Sequence, residues 1–494
     1  MNSHLDTLAG DFLGEIIEPD APAYESARRT VLTSGSPAYV LRPANVADVQ
    51  AAVRFATQAA LPLSVRGGGH SFAGFGTNEG GVVIELGGLA EVRLLDRERN
   101  IVRIGGGATW GQVAAHLAPL GLAISSGDTK SVGVGGLTLS GGIGWKVRRY
   151  GLALDSVIAA EVVVADGGLV RASADENPDL FWAIRGGGGN FGIVVAFDFV
   201  AHRTTDVFSG AISFPAVEAP RVLRGWAEYL RDAPDELTSA AELANPFAGG
   251  PDAPVVIRVV FDGDDPERAA TALAPIRALG TVIADDVALT PYPEVLADGA
   301  TAPLGIRLVT RSAFVDPESV QEVLDTLVET ASSAGGPFVG VRSLGGAVAR
   351  VPADATAYAH RAAELLVITT LAGPRRLSRP LVAHWTRPGR DSARSWWAPT
   401  GTSCRRPPTR MSPRSIPRPR CAGWRRSNAA TTRTTCSPAT TTSGPTRRRP
   451  ANPGAPKRSH EPSRPPHRGC HHPQAGVASD TDIGIISGGE PVFS

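Results

Sequence analysis

Ser64-Val65-Arg66-Gly67-Gly68-Gly69-His70-Ser71 lies between two short apolar runs, residues 61–65 and 81–86. Three glycines in succession let the backbone turn sharply and bring bare N–H groups close to a ligand. Successive N–H groups in such a turn form a concavity that suits an anion, and Arg66 adds a fork of donors. His70 then sets a nucleophilic imidazole beside that anion. A diphosphate next to a histidine nucleophile points to a dinucleotide held covalently.

Two further glycine-rich segments follow. Residues 133–144 read Gly-Val-Gly-Gly-Leu-Thr-Leu-Ser-Gly-Gly-Ile-Gly, and residues 186–192 read Gly-Gly-Gly-Gly-Asn-Phe-Gly. The first of these is no Rossmann fingerprint, because Thr138 stands where the third glycine belongs. It is no Walker loop either, since no Gly-Lys-Ser/Thr closes it.

Around these loops the pattern alternates. Residues 38–41 read as a strand, and 46–60 as a helix capped by Asn45. A hairpin is expected over 91–104, and a helix from Thr109 to about 120. Strands are expected over 158–165 and 191–200, with Pro178 opening the short helix between them. Beyond about 205 the expected helices are 219–231, 266–279 and 317–333, and the expected strands 255–261 and 304–310. Alternating strands and helices predict an α+β fold.

The combination resembles the FAD-linked oxidoreductases with a vanillyl-alcohol-oxidase (PCMH-type) flavin domain, in the berberine-bridge-enzyme-like branch. The matching pieces are Arg-Gly-Gly-Gly-His-Ser (66–71), Gly-Gly-Gly-Ala-Thr-Trp-Gly (105–111) and Val-Gly-Val-Gly-Gly-Leu-Thr-Leu-Ser-Gly-Gly-Ile-Gly-Trp (132–145). Arg149-Tyr150-Gly151-Leu152, Ala165-Asp166-Gly167 and the run 181–194 continue them in the same order. The resemblance implies a lead-in over 1–33, an FAD-binding domain over 34–204 and a substrate domain over 205–375, a sheet backed by helices.

It also implies roles. His70 takes the position of the histidine that bonds the flavin 8α carbon. Arg66, Gly67, Gly68, Gly69 and Ser71 complete that loop. Thr129 stands where many members carry a second, cysteinyl link, and a hydroxyl does not replace a thiolate. A single covalent link is therefore expected. Val132 matches a position that shapes oxygen access and resembles the oxidases more than the dehydrogenases. Leu137 sits where plant members carry a histidine, and Phe72 where some carry a tyrosine. Gly133, Gly135, Gly136, Gly141, Gly142 and Gly144 match backbone that lies against the flavin, and Gly192, Ile193 and Val194 match the strand at the adenosine. The reaction so implied is hydride transfer from an alcohol, sugar or secondary metabolite to flavin N5, with oxygen as acceptor. No catalytic residue and no metal ligand is assigned.

Composition divides the chain. Residues 1–400 carry a net charge of −11 and residues 401–494 a net of +12. Between 401 and 476 there is no Leu and no Val, and Ile416 is the only Ile. Such a segment cannot bury enough apolar area to order itself, so 376–494 is expected to be a disordered or frame-shifted tail. Its four cysteines, Cys404, Cys421, Cys436 and Cys470, lack zinc-site spacing. Trp424 is its only aromatic between 401 and 476, which argues against base stacking. A frame change in a GC-rich gene accounts for the Arg, Pro, Thr and Ser content. The alternatives are an inactive flavin-binding remnant and a nucleic-acid or surface binder. The start lacks a basic and apolar leader, and no run approaches the roughly 20 apolar residues of a membrane span. A cytoplasmic monomer, with no membrane or nucleic-acid partner, is the expectation.

Overall fold

Residues 12–374, apart from 246–249, 300–305 and 334, are described in the computed structural model, together with Leu8 and Gly10. The tail lies outside the described residues.

The chain starts by building a four-stranded sheet. Tyr39–Arg42 and Leu63–Arg66 lie parallel on either side of Val82–Glu85, and Glu15–Ile17 closes the far edge. Parallel neighbours need a crossover, and the helix Val46–Gln58 supplies it. Asn45 caps that helix by accepting the Asp48 N–H at 3.0 Å. Val49, Ala52, Val53 and Ala56 bury its inner face.

A five-stranded antiparallel sheet follows, in the order Val92–Asp96, Ile101–Gly105, Ile193–Val200, Val157–Val163, Leu169–Ser173. The hairpin between its first two strands turns at Asn100, whose φ of +53° suits an asparagine. Arg103 ties three strands together, reaching Asp198 at 2.7 Å and Glu161 at 2.7 Å. Thr109 and Gln112 form a capping box for the helix Trp110–Leu117.

The rest of the described chain is one antiparallel sheet. Its path is Ala284–Asp285, Val207–Phe214, Val255–Phe261, Leu237–Leu243, Phe338–Ser343, Leu365–Pro374, Ile306–Val315, with Ala288–Thr290 also beside Val207–Phe214. Helices Ala219–Asp232, Pro266–Arg277 and Val320–Ala331 cover one face. Trp226, Leu273 and Leu324 share one core there with Val339, Val341 and Val367. The strand expected at 304–310 runs on to Val315, and the helix expected at 317–333 begins as the 3-10 turn Pro317–Ser319.

Buried cations join residues 34–204 to residues 205–374. Lys146, wholly buried, pairs with Asp262, donates to Thr204 Oγ1 at 2.9 Å and sits 4.2 Å above the Tyr292 ring. Arg148 donates to the carbonyls of Leu344, Leu230 and Ala233. Arg361 clasps Asp155 through two bonds of 2.7 Å. Removing one partner of such a pair leaves an uncompensated buried charge, which is strongly destabilising.

His202 belongs to this junction. It stacks on Tyr150 at 4.0 Å and meets Ser156 Oγ at 3.1 Å. Burial first, and then the nearby Lys146 charge, push its imidazole pKa down to about 4. The unfolded chain binds the proton at about pH 6.5, so the neutral folded form is favoured above that value and loses its advantage as pH falls toward 4. His202→Gln is expected to remove about 2–3 kcal/mol of acid-dependent stability change between pH 6.5 and 4, measured by urea unfolding across that range.

Candidate active site

The three glycine-rich segments meet. Gly68 packs so tightly on the second segment that a Cβ there would lie 2.4 Å from the Gly133 nitrogen and 2.4 Å from the Ser131 oxygen. A Cβ on Gly133 would in turn lie 2.3 Å from the Gly68 nitrogen. Gly135 is held the same way against the Gly106 carbonyl, at 2.9 Å. The third segment closes on the second, with Gly186 and Gly188 both donating to the Leu139 carbonyl, at 3.1 and 3.0 Å.

This packing leaves the loop's backbone donors without protein partners. Among the described residues, the N–H groups of Gly67, Gly68, Gly69, His70 and Ser71 donate to no protein acceptor. A Cβ on Gly136 or Gly189 would meet no atom within 4 Å. Unpaired successive donors beside side-chain-free backbone are what a diphosphate and a flat ring system require. The residues present fit a dinucleotide.

His70 is half-buried, and its Nε2 lies 2.9 Å from Ser131 Oγ. Burial lowers its pKa, against the opposing pull of Asp128, and so favours the neutral imidazole. With Nε2 engaged by Ser131, Nδ1 is the ring nitrogen left for another bond. Thr129 is buried and donates to Asp128 Oδ1 at 2.9 Å, and Asp128 forms an ion pair with Arg342 of the strand Phe338–Ser343. The chain around Thr129 is further fixed by Ala297, which bridges it across Lys130 and Asp128.

One sequence expectation is corrected. Arg66 does not point its guanidinium at the loop. It is buried and donates to the carbonyls of Ala27 and Arg29, at 2.5 and 2.9 Å, and to Glu85 at 3.0 Å. It braces the loop from below and is no anion donor. Residues 134–140 form a short helix, Val134–Ser140. Val132 is 4% exposed and packs with Trp110 and Val134. Ile193 and Val194 turn their side chains into two different cores.

The other expected residues take up their places as follows. Ser71 Oγ accepts the Phe75 N–H at 3.3 Å and shapes the turn. Leu137 reaches from the helix toward Gly127 and Gly142, where added Cβ atoms would touch it at 2.6 Å. Gly141 and Gly142 have positive φ, and Gly144 lies against the Ser126 carbonyl. Gly192, also at positive φ, packs on Val162. Phe72 is exposed. Sequence reading missed Tyr358, whose ring covers Gly141 and whose buried hydroxyl has no partner among the described residues. No signal for it exists short of the tertiary contact. Among the described residues, no group of His, Cys, Asp and Glu could hold a metal, and no helix is long and apolar enough to cross a membrane.

Known proteins share this arrangement. Residues 37–173 match the FAD binding domain family. The (R)-6-hydroxynicotine oxidase of Paenarthrobacter nicotinovorans is 32% identical over 291 residues, covering 58% of this chain and 62% of that protein. A xylooligosaccharide oxidase of Thermothelomyces thermophilus is 42% identical over 195 residues, 39% of either chain. Both matches span less than two thirds of the relative's length. The glucooligosaccharide oxidase of Acremonium strictum, which carries a 6-S-cysteinyl, 8α-N1-histidyl FAD, superposes with a TM-score of 0.64 at 28% identity, over 75% of this chain and 81% of that one. Residues 37–173 are thus an FAD binding domain, with FAD as its cofactor, in a fold that this chain shares with FAD-linked oxidases.

The Gly68–Gly133 contact is predicted to be the least tolerant point of the cradle. Gly68→Ala should cost about 1–3 kcal/mol of stability and most of the bound FAD. Gly87→Ala, where a Cβ would meet nothing within 4 Å, should stay within about 0.5 kcal/mol of the parent and keep its FAD, both read by thermal unfolding and the flavin absorbance.

Proposed function

We propose that the protein is an FAD-dependent oxidase that takes a hydride from the hydroxyl-bearing carbon of a neutral, sugar-like alcohol, with oxygen as the final acceptor. The observation that carries this reading is the sheet face turned toward His70 and the cradle. Its charges are already paired, Arg342 with Asp128 and Arg258 with Glu242 at 2.7 Å, and Thr310 and Thr370 add hydroxyls 3.1 Å apart. A wall with paired charges and free hydroxyl capacity favours a neutral, hydroxyl-rich ligand over an ion. Relatives named as oligosaccharide oxidases support the same choice.

FAD would supply the hydride acceptor and, when reduced, the electron donor to oxygen. The protein's part is binding and positioning. The 67–71 loop would take the diphosphate on its unpaired N–H groups. Ser131 would hold His70 with Nδ1 turned to the flavin, making a single histidyl link, because Thr129 has no thiolate to make a second. Incubating the full chain, expressed from the gene with its reading frame verified or restored, with a panel of mono- and disaccharides should release hydrogen peroxide in proportion to sugar oxidised. A panel that gives neither peroxide nor reduced flavin contradicts the reading.

The tail carries a second proposal, that residues beyond about 376 are read out of frame. Threonine codons read one base early end in AC and encode Tyr, His, Asn or Asp. Cysteine and tryptophan codons read that way become Leu, Val or Met codons. Thr431, Thr432, Thr434, Thr435, Cys436 and Trp424 would then return the aromatic, polar and apolar residues that this stretch lacks. Sequencing the gene across this region is expected to show one inserted or deleted base; an unbroken frame as written favours the inactive remnant.

A further inference from the structure

The strand Phe338–Ser343 carries a glycine in mid-strand, Gly340, with no backbone need for one. Its φ is not positive, and a Cβ there would meet only the Ile368 carbonyl oxygen, at 4.0 Å. A glycine inside a strand weakens it and often marks a close approach by a ligand. Val339 and Val341, on either side, are buried under the helices. Side chains alternate along a strand, so Gly340 belongs to the opposite face, the one from which Arg342 reaches Asp128 beside the His70 site.

The register sets what surrounds it. Gly340 lies opposite Glu242 on one side and Ile368 on the other, and Ile368 lies opposite Ser312. Glu242, Ile368 and Ser312 are all half-buried, as lining residues of a recess are. Strands sit about 4.8 Å apart, so this row spans roughly 14 Å, enough for two sugar rings laid across the strands. The row is polar at the Glu242 end, where Arg258 holds the carboxylate at 2.7 Å. Its centre is the missing side chain of Gly340.

We propose that Gly340 determines substrate size: the room left by its absent side chain accepts the second ring of a two-ring, hydroxyl-rich substrate, with the Glu242–Arg258 pair at the polar end. This rests on the reading that the sheet face and the flavin cradle enclose the substrate. The position governs reach and not chemistry. A larger residue should therefore spare the cofactor and a one-ring ligand while excluding a two-ring one.

The test uses the full chain loaded with FAD, in parent, Gly340→Ala and Gly340→Leu forms. FAD content and melting temperature are measured first. Glucose and cellobiose are then titrated against the flavin absorbance. The expected result is parental FAD content in both variants, glucose affinity within about twofold, and cellobiose affinity reduced about tenfold or more in Gly340→Leu. If Gly340→Leu fails to hold FAD, Gly340→Ala decides, with a selective loss of cellobiose of about twofold or more expected. Unchanged cellobiose affinity, or equal loss for both sugars, overturns the proposal while leaving the oxidase reading intact. A parent protein that responds to neither sugar overturns the two-ring proposal, while the wider sugar panel decides the oxidase reading.

Discussion

Two stretches of backbone touch with no side chain between them, and the site depends on that contact. Gly68 and Gly133 approach so closely that a Cβ on either would fall within 2.4 Å of the other's backbone nitrogen. The loop after Leu63–Arg66 is thereby locked to the segment that enters the helix Val134–Ser140. One consequence is electrostatic. Among the described residues the loop's N–H groups have no protein acceptor, and a bound anion would satisfy them. The other is positional, because the same contact brings Ser131 within 2.9 Å of His70. Arg66 supports the arrangement from behind by holding the 27–29 backbone and Glu85.

The large antiparallel sheet depends on the same frame. Asp128, in the segment that holds Thr129 and Ser131, is the anchor for Arg342. Lys146, Arg148 and Arg361 hold the junction at three further points. Buried ion pairs of this kind add little net stability over apolar packing, but they tolerate only one arrangement, since a displaced charge has no water to turn to. The sheet face therefore stands at a fixed height above the cradle, and a single absent side chain such as that of Gly340 can decide what fits.

Much of the fold was legible in the residues. Asn45, Thr109 and Pro178 mark helix starts by their own chemistry, and all three helices begin where those residues stand. The strand Val255–Phe261 and the helix Ala219–Asp232 follow from β-branched content and helical apolar spacing. The cradle was legible as a set of glycines, because glycine is selected where backbones touch. Its errors share one cause. A motif says which residues gather but not which way each side chain turns. Arg66 looked like an anion donor and is a buried brace. The Val134–Ser140 helix was hidden by glycine content that tertiary packing overrides. Asp128 and Arg342 lie more than 200 residues apart, and the surroundings of Gly340 come from three other strands, so no local pattern carries either.

The most direct measurement is mass spectrometry of peptides from the acid-denatured full chain, isolated by flavin fluorescence. The account predicts one flavin-bearing peptide, the one containing Gly67–Ser71, with the flavin on His70 and none on the peptide containing Thr129. A flavin that separates completely from the denatured chain, or one attached anywhere other than His70, would contradict it.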